Sequence, residues 1–585
     1  MSCKKSFIFF WLLNLLKVFF CESQSETFNE KLFVKPLPSG HVYTQFQFVV
    51  QKDLISDDEN AFRHFRLFPR SLGEIIHEYD VQELHFSLTQ GLWRYEKWGY
   101  PLRDAPPGAE LWALFKGNVS KVSSNWKKLT NVLSGQFCAS LNFIDETITV
   151  IPKFSFKPEG AVVSNLYNSS FVRYSSLPRE IVCTENLTPF RKLLPCGYQA
   201  GLSTLLNALN VFNAHFVSLS VDVQFVCKQE SCSNIAVQLV QSVAVVFDLP
   251  VQLKKQDWSL VKLFGSSLSS TCPVASTSEV FVDISSNKTQ NPFTLSISPT
   301  DIIEENTDQI GYENKRIAFY DLKQLFKSMH LVNIAAIYKS AHIYGIIPPP
   351  IIYVDRKLTG YGQENGGISY TFYNNHPKNP LKIIHFDVIP WYIRLYSHTL
   401  AITNGGSTIS PDFLYYKPAK DRSRPHHLEL VLTLPPKSKT ELKIEFDFAF
   451  LKWTEYPPDA NHGFYISSAV ISTLLDTNKN FSYFPGNKQT RIDDGNFLRI
   501  HTKILLVSLP TPDFSMPYNV ICLTCTVVAL AFGPIHNITT KTLQPLDESS
   551  ENPFLSKLKK QLKLFWESIR DKAKKQPEED VKKTQ

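Results

Sequence analysis

An uncharged segment near the C-terminal end constrains this chain more than any other feature. The 27 residues from Phe514 to Thr540 contain no Asp, Glu, Lys or Arg, and Asp513 and Lys541 flank them. An α-helix rises about 1.5 Å per residue, so roughly 20 apolar residues cross the ~30 Å hydrocarbon core of a bilayer. A helix also pairs its backbone polar groups internally, as lipid requires. The segment therefore predicts one transmembrane helix over residues 516–538; a buried helix of a soluble protein is the alternative.

Both ends of the chain agree with entry into the secretory pathway. Two lysines precede an apolar run that ends at Phe20, and this layout is typical of a cleaved signal peptide over residues 1–23. Residues 539–585 contain 10 Lys and 1 Arg against 8 acidic residues. Lys and Arg beside a span collect on the cytosolic side. We therefore expect a single-pass type I protein with its bulk in the lumen and a cytosolic basic tail.

The tail carries two further signals. Apolar residues spaced by three or four positions predict a basic amphipathic helix: Leu555, Leu558, Leu562, Phe565 and Ile569. Such a helix beside a membrane favours docking on anionic lipid, and a solvated helix is the alternative. Lys583 and Lys582 are the third and fourth residues from the C-terminal end. This placement resembles a dilysine retrieval signal, which a receptor reads as an address.

Composition excludes one class of partner. The formal charge is +7, but the tail and the signal region hold most of it, so the lumenal part has no concentrated basic block of the kind that nucleic-acid binding needs. Thirteen per cent aromatic residues and 36 prolines favour a folded, strand-rich region over a disordered one.

Alternation of apolar and polar residues dominates the lumenal part. Residues 428–434 and 442–448 alternate on either side of a Pro-Pro-Lys-Ser-Lys segment and predict an antiparallel hairpin with one solvent-facing side. Residues 217–225 and 237–249 predict further strands. Helical spacing is confined to short stretches: residues 74–77, 202–209 and 321–328.

These patterns predict a mainly β fold with lumenal β-sandwich-type domains, a few helices and one C-terminal transmembrane helix. Packing signals weaken between about residues 275 and 320. We therefore expect an N-terminal β-rich domain with helices over residues 24–300 and a membrane-proximal β-sandwich domain over residues 301–515.

Six cysteines lie outside the signal peptide and the membrane span: Cys138, Cys183, Cys196, Cys227, Cys232 and Cys272. The oxidising compartment favours disulfides, but spacing does not reveal their pairing. No histidine stands at zinc-finger spacing from these cysteines, so the sequence predicts no metal site and no cofactor. Five N-x-S/T sequons predict glycosylated surface positions: Asn118, Asn168, Asn186, Asn287 and Asn480.

The sequence lacks the motifs of the common hydrolases. It contains no G-x-S-x-G, no H-E-x-x-H and no phosphate-binding glycine loop. A cysteine protease needs a thiolate beside an imidazole, and nothing local supports Cys183 with His215 or His77. We therefore expect this chain not to be an enzyme.

Long segments in chain order resemble the PIG-T family, a subunit of the GPI transamidase. The strongest is Leu177 to Cys196, which reads LPREIVCTENLTPFRKLLPC. The other matching segments are residues 83–93, 110–112, 388–396, 452–464 and 509–514. The tail departs most, because its basic amphipathic stretch and terminal lysine pair are not family features.

The resemblance implies a non-catalytic subunit of a complex in the endoplasmic reticulum membrane, which attaches glycosylphosphatidylinositol (GPI) to precursor proteins. It implies that the caspase-like subunit PIG-K supplies the nucleophile and is joined through an interchain disulfide to the cysteine matching Cys183. An internal disulfide from Cys183 to Cys196 or Cys138 is the alternative. The other implied partners are PIG-S, PIG-U and the GPI anchor attachment subunit, with GPI lipid and precursor bound through the complex.

Two hypotheses remain open from the sequence. A glycan- or lipid-binding type I receptor outside the transamidase is the competing class, because fold alone does not exclude it. Within residues 452–464, Asp459, Asn461 and His462 offer hydrogen-bonding groups near the membrane, so we hypothesise a contact with the GPI lipid. A rigid loop that only packs beneath the preceding strand is equally compatible with the sequence.

Overall fold

The computed structural model describes residues 26–54, 65–160, 168–227, 235–249, 257–285, 293–305, 315–339, 347, 349–360, 365–457, 459–474, 497–511, 515–542 and 553–574. The chain divides after Thr511 into two compact units, and each is described by itself. The signal peptide, Asn287, Asn480, Lys582 and Lys583 lie outside the described residues.

The described residues form 25 strands. Their bounds are β1 (Glu26–Pro36), β2 (Val42–Leu54), β3 (Val81–Gln90), β4 (Gly108–Phe115), β5 (Val172–Leu177), β6 (Phe216–Cys227), β7 (Ile235–Phe247), β8 (Trp258–Ser259), β9 (Thr277–Asp283), β10 (Phe293–Leu295), β11 (Asp301–Glu305), β12 (Lys315–Asp321), β13 (Ala335–Tyr338), β14 (Ile352–Thr359), β15 (Asn365–Asn374), β16 (Leu381–Ile389), β17 (Ile393–Asn404), β18 (Ser407–Thr408), β19 (Phe413–Lys417), β20 (His426–Leu434), β21 (Ser438–Phe448), β22 (Phe464–Ile466), β23 (Val470–Leu474), β24 (Phe497–His501) and β25 (Leu505–Val507).

Nine α-helices occur in the same described ranges. Their bounds are α1 (Arg70–Glu78), α2 (Tyr95–Trp98), α3 (Val119–Phe137), α4 (Thr184–Lys192), α5 (Ala208–Phe212), α6 (Leu260–Phe264), α7 (Leu322–Leu325), α8 (Ser515–Thr540) and α9 (Pro553–Lys574). With 41% strand and 26% helix, the mainly β prediction is confirmed.

A ten-stranded sheet organises the first lobe, which we define as residues 26–338. Its strand order is β11-β12-β9-β1-β2-β7-β6-β3-β4-β5, and neighbours are antiparallel except for β1 and β9. Because β11 and β12 follow residue 300 yet belong to this sheet, the domain boundary expected at residue 300 is wrong. The lobe boundary instead lies between β13 and β14, since strand pairing rather than local composition decides it.

The sheet is buried on both faces. Successive strand residues point to opposite faces, so Leu32 and Val34 of β1 join a core with the helices, whereas Phe33 between them joins a different core. Strand residues of the first lobe, including Phe281, share that second core with residues of strands β14 to β25. Helices, sheet and second lobe thus form successive layers.

The second lobe, residues 352–509, is a β-sandwich. One five-stranded sheet has the order β14-β15-β21-β17-β18 and the other has the order β19-β20-β16-β23-β24. Apolar residues from both sheets, such as Tyr370 of β15 and Leu430 of β20, meet in the core between them. The strands of the two facing sheets therefore begin at residue 352, whereas the sequence predicted a sandwich domain from residue 301.

The hairpin predicted around Pro435 is wrong, although both of its strands exist. β20 and β21 lie in different sheets, so the Pro-Pro-Lys segment is a corner between the two layers of the sandwich. The solvent-facing side expected for β20 is also covered. Glu429 is buried and accepts backbone N–H groups from Phe154 and Ser155 of the first lobe, at 2.7 and 3.0 Å.

Some of the strands and helices predicted for the first lobe occur in the structure, and others differ. Strands β6 and β7 and helix α1 occur where the patterns predict them, whereas residues 202–209 form a 3-10 turn followed by α5. The 19-residue helix α3 was missed. Its signal was present, because Val122, Trp126, Leu129 and Leu133 repeat at helical spacing and are all buried.

The second unit contains α8 and α9. Helix α8 has 26 residues and is long and apolar enough to cross a membrane, and no other helix in the described part of the chain meets that criterion. The hydroxyls of Thr524 and Thr526 donate to carbonyls four residues earlier, both at 2.7 Å, so these polar groups are satisfied within the helix. Helix α9 spans the predicted amphipathic stretch of the tail.

Candidate functional site

Two free cysteines lie where α3 ends and α4 begins. Cys138 caps the C-terminal end of α3 with a left-handed backbone, φ 53°, and Cys183 is the N-cap of α4. Cys138 is exposed and Cys183 is half-buried, and neither is in a disulfide.

The side chain of Asn186 holds these two helix ends together. Its Oδ1 accepts the N–H of Cys183 at 2.8 Å. Its Nδ2 donates to the carbonyls of Phe137 and Cys138, both at 3.0 Å. A free backbone group at a helix end needs such a partner, so one amide satisfies the end of α3 and the start of α4 together.

A second link fixes the loop before Cys183. The carboxylate of Glu180 accepts the N–H of Ser140 at 2.8 Å. Beside this link, Ile181 is 82% exposed and Phe143 is 71% exposed. Large apolar side chains grouped with this exposure indicate an interaction surface rather than a packed loop.

We name this region the thiol surface and define it as Cys138, Phe143, Ile181 and Cys183. The sequence predicted Cys183 from a resemblance and considered Cys138 only as its disulfide partner, whereas it did not predict that Phe143 and Ile181 would accompany them. The two segments are about 40 residues apart in the chain, and only the hydrogen bonds of Glu180 and Asn186 show that they share a surface.

Disulfide pairing in the structure bears on the two alternatives for Cys183. Cys196 is bonded to Cys272 with a Cα–Cα separation of 6.0 Å, so it is not the partner of Cys183. Cys138 is free, so it is not the partner either. Cys227 is also disulfide-bonded, which leaves Cys138 and Cys183 as the free cysteines of the described part of the first lobe.

The described sequons fall into two kinds. Asn118 and Asn168 are exposed N-caps whose Oδ1 atoms accept N–H groups from Ser120 and Ser170, at 3.0 and 2.9 Å. Asn186 is only 2% exposed and donates both amide hydrogens inside the protein. The surface predicted at Asn186 is therefore wrong, because this asparagine serves the fold, and its sequon offers no room for a glycan.

The loop of residues 452–464 presents its polar groups to solvent. Asp459 caps a short 3-10 turn by accepting the N–H of His462 at 3.3 Å, and the His462 ring lies 2.6 Å from the Tyr465 hydroxyl. Asn461 is exposed. Tyr456 donates to the Pro510 carbonyl at 2.6 Å, which ties the loop to the segment that leads into the second unit.

A possible set of metal ligands lies apart from the thiol surface. The ligand atoms of His41, His215 and Asp248 are all within 4.8 Å of one another. These three residues are far apart in the sequence and form no zinc-finger motif, so the sequence did not reveal the group.

Known proteins similar to this chain are components of the GPI transamidase. A family model described as "Gpi16 subunit, GPI transamidase component" matches residues 12–256 and 250–565. The GPI-anchor transamidase component PIGT of Mus musculus is 44% identical over 532 residues, covering 89% of this chain and 90% of its own length. The Homo sapiens PIGT is likewise 44% identical and is covered to 91%.

A more distant relative extends the match. The GPI transamidase component GPI16 of Saccharomyces cerevisiae is 32% identical over 596 residues, with 94% of each chain covered. The family model spans both lobes and helix α8, so the match concerns the whole molecule rather than one module. The chain belongs to the family of GPI transamidase components that includes PIGT and GPI16.

Proposed function

We propose that this chain is a non-catalytic subunit of the GPI transamidase, which holds the caspase-like subunit PIG-K through a disulfide from Cys183. The observation that carries the proposal is that Cys183 is unpaired and lies two residues after Ile181, whose side chain is 82% exposed. A free thiol with apolar neighbours suits a covalent link reinforced by a buried contact. The proposed complex also contains PIG-S, PIG-U and the GPI anchor attachment subunit.

The proposed location is the membrane of the endoplasmic reticulum, with both lobes in the lumen and α9 in the cytosol. Helix α8 supports one crossing, and the basic residues after it support this orientation. We further propose that α9 docks on anionic lipid through its apolar and basic faces. The retrieval role of Lys582 and Lys583 rests on the sequence alone, and so do glycans on Asn287 and Asn480.

Cys183→Ser tests the covalent link. We expect loss of the high-mass band that contains PIG-K on a non-reducing gel, with reduced but measurable co-purification. The apolar part of the thiol surface remains in this variant, but the crosslink no longer keeps the two chains at high effective concentration.

Cys138→Ser is the matched control, because it removes the neighbouring free thiol of the same surface. Its high-mass band should persist. An unchanged band in Cys183→Ser would contradict the proposal. Recovery of the chain from detergent without any protease partner would instead favour a type I receptor that binds glycan or lipid.

We also propose that the loop of residues 452–464 contacts the GPI lipid through Asn461, with Asp459 and His462 shaping the turn. Their exposure and the Tyr456–Pro510 hydrogen bond support this. Asn461→Ala should lower GPI attachment while the complex stays intact, and Thr454→Ala, an exposed residue of the same loop, should not. Cell-surface levels of a GPI-anchored reporter measure this attachment. Normal levels in Asn461→Ala would contradict the lipid contact and indicate that the loop has only a structural role.

A further inference from the structure

Three adjacent strands of the first lobe end together and bring His41, His215 and Asp248 to one place. In the antiparallel pairing of β2 with β7, Val42 is opposite Phe247, so the preceding His41 and the following Asp248 are neighbours. In the pairing of β6 with β7, Phe216 is opposite Val246, which places His215 beside the same end. The sheet register itself therefore assembles the group.

The donor atoms converge on one carboxylate oxygen. His215 Nε2 lies 2.6 Å from Asp248 Oδ2, and His41 Nε2 lies 3.9 Å from the same oxygen. Ligands about 2.1 Å from a tetrahedral zinc ion are about 3.4 Å apart. The two separations from Asp248 differ from that value by less than an ångström, and the two imidazole nitrogens lie within 4.8 Å of each other.

The ring of His41 is already oriented for a metal. Ser39 Oγ lies 3.0 Å from His41 Nδ1, so it can accept the Nδ1 proton in the tautomer that leaves the Nε2 lone pair free for a metal. A hydrogen bond to the second ring nitrogen is the usual way in which proteins fix a histidine ligand. The turn is held as well, because the N–H of Leu37 donates to the His41 carbonyl at 2.8 Å.

We propose that His41, His215 and Asp248 form a zinc-binding site that clips the β1–β2 turn to the ends of β6 and β7. Two imidazoles and one carboxylate suit zinc better than calcium or magnesium, which prefer all-oxygen ligands. His215 is partly exposed, so water reaches the fourth position. This site is independent of the thiol surface and of the proposed transamidase partners.

One nearby charge opposes the metal and gives the proposal a sharper test. The Arg94 guanidinium lies 5.8 Å from the centre of the Trp98 ring, and that ring is 5.9 Å from the His41 ring. Its positive charge repels a dication, so we expect moderate affinity in the natural chain. Arg94→Gln should tighten zinc binding several-fold, a change that misfolding does not produce.

The experiment uses the full chain in detergent, stripped with chelator and with its free thiols alkylated so that Cys138 and Cys183 do not bind zinc. Titration of Zn²⁺ against a fluorescent chelator should give one ion per chain. We expect His215→Ala and Asp248→Asn to weaken binding at least about 100-fold, beyond the loss usual for residues that only orient a ligand. His330→Ala, at an exposed histidine elsewhere, is the control and should match the natural chain.

Thermal unfolding with and without zinc gives the second measurement. Zinc should raise the midpoint of the natural chain, because a ligand that binds only the folded state stabilises it, and should leave His215→Ala unchanged. Absence of stoichiometric zinc in the natural chain would overturn the proposal. Binding in His215→Ala as tight as in the natural chain would overturn it equally, since the ion would then lie elsewhere.

Discussion

At the scale of single residues, Asn186 shows how a surface motif in the sequence becomes an interior contact. Its amide bridges the end of α3 to the start of α4 and makes three hydrogen bonds to backbone groups. The same asparagine thus positions both Cys138 and Cys183. The thiol surface depends on it even though it contributes no exposed atom to that surface.

Asn186→Ala should destabilise the chain by roughly 2–4 kcal/mol, because it leaves one N–H and two carbonyls without their partner. Chemical denaturation followed by tryptophan fluorescence measures this. Asn168→Ala is the control, since it loses one exposed cap and should cost about 1 kcal/mol. The natural and Asn186→Gln chains should migrate equally on a gel both before and after glycosidase treatment. A faster Asn186→Gln chain before treatment would reveal a glycan on Asn186 and contradict the buried geometry.

At the scale of elements, a buried ion pair joins the two sheets of the second lobe. Arg356 on β14 donates to both carboxylate oxygens of Asp387 on β16, at 3.1 and 3.0 Å, and both side chains are fully buried. The Tyr370 hydroxyl donates to the same carboxylate, and Arg356 also donates to the Ser467 carbonyl. The pair therefore fixes how the sheets face each other.

Arg356→Met should cost roughly 3–5 kcal/mol of the free energy of unfolding, because it leaves the Asp387 carboxylate buried without its partner. A triple variant with Arg356→Met, Asp387→Leu and Tyr370→Phe should recover most of that loss, since no buried charge remains. Urea unfolding of both proteins measures the difference. A triple variant no more stable than the single one would show that the polar groups themselves hold the sheets.

At the scale of the whole molecule, His501 of the second lobe is inserted between two carboxylates of the first. Its ring nitrogens lie 2.7 Å from Asp104 and 3.1 Å from Glu110. Burial alone would lower the pKa of His501, but the charges of Glu110 and Asp104 and their hydrogen bonds outweigh it and raise the pKa to about 10. The lobes are thus joined by a charged histidine.

This raised pKa predicts a loss of stability in alkaline solution. Between about pH 6.5 and pH 10 the folded chain keeps a proton that the unfolded chain has released, so the free energy of unfolding falls as pH rises, by about 1.4 kcal/mol per unit for one proton. The stabilisation that protonated His501 contributes is fully present below about pH 6.5.

His501→Gln should be less stable at pH 6.5 and should show a shallower decline toward pH 10. His85 contributes in the same direction, because its hydrogen bond to Asp222 and the Glu83 carboxylate 3.6 Å from Nε2 outweigh burial and raise its pKa to about 9. The difference in slope between the natural chain and the variant therefore isolates His501. Identical pH slopes for the natural chain and the variant across this range would contradict the assignment.

Period-two and period-3.6 patterns were sufficient to predict the mainly β class, strands β6, β7, β20 and β21, and helix α9, and the uncharged run predicted helix α8. These features depend on which residues alternate along the chain, and that information is local. The family resemblance added Cys183, also through a contiguous segment. The exposed partners Phe143 and Ile181 were not predictable, because an apolar residue in a loop has the same sequence signal whether it is covered or bare.

By itself, the sequence determined the long apolar helix α8 and several strands and helices, because the length of an uncharged run and the period of an apolar pattern are properties of neighbours. Only the tertiary structure decided that β20 and β21 lie in different sheets, that β11 and β12 join the first lobe, and that Asn186 is buried. It also decided that His41, His215 and Asp248 meet. Those outcomes depend on contacts between separate elements, such as Asp283 with Ile317 and Asn186 with Phe137, and many such contacts compete until the cores of the whole molecule select one set.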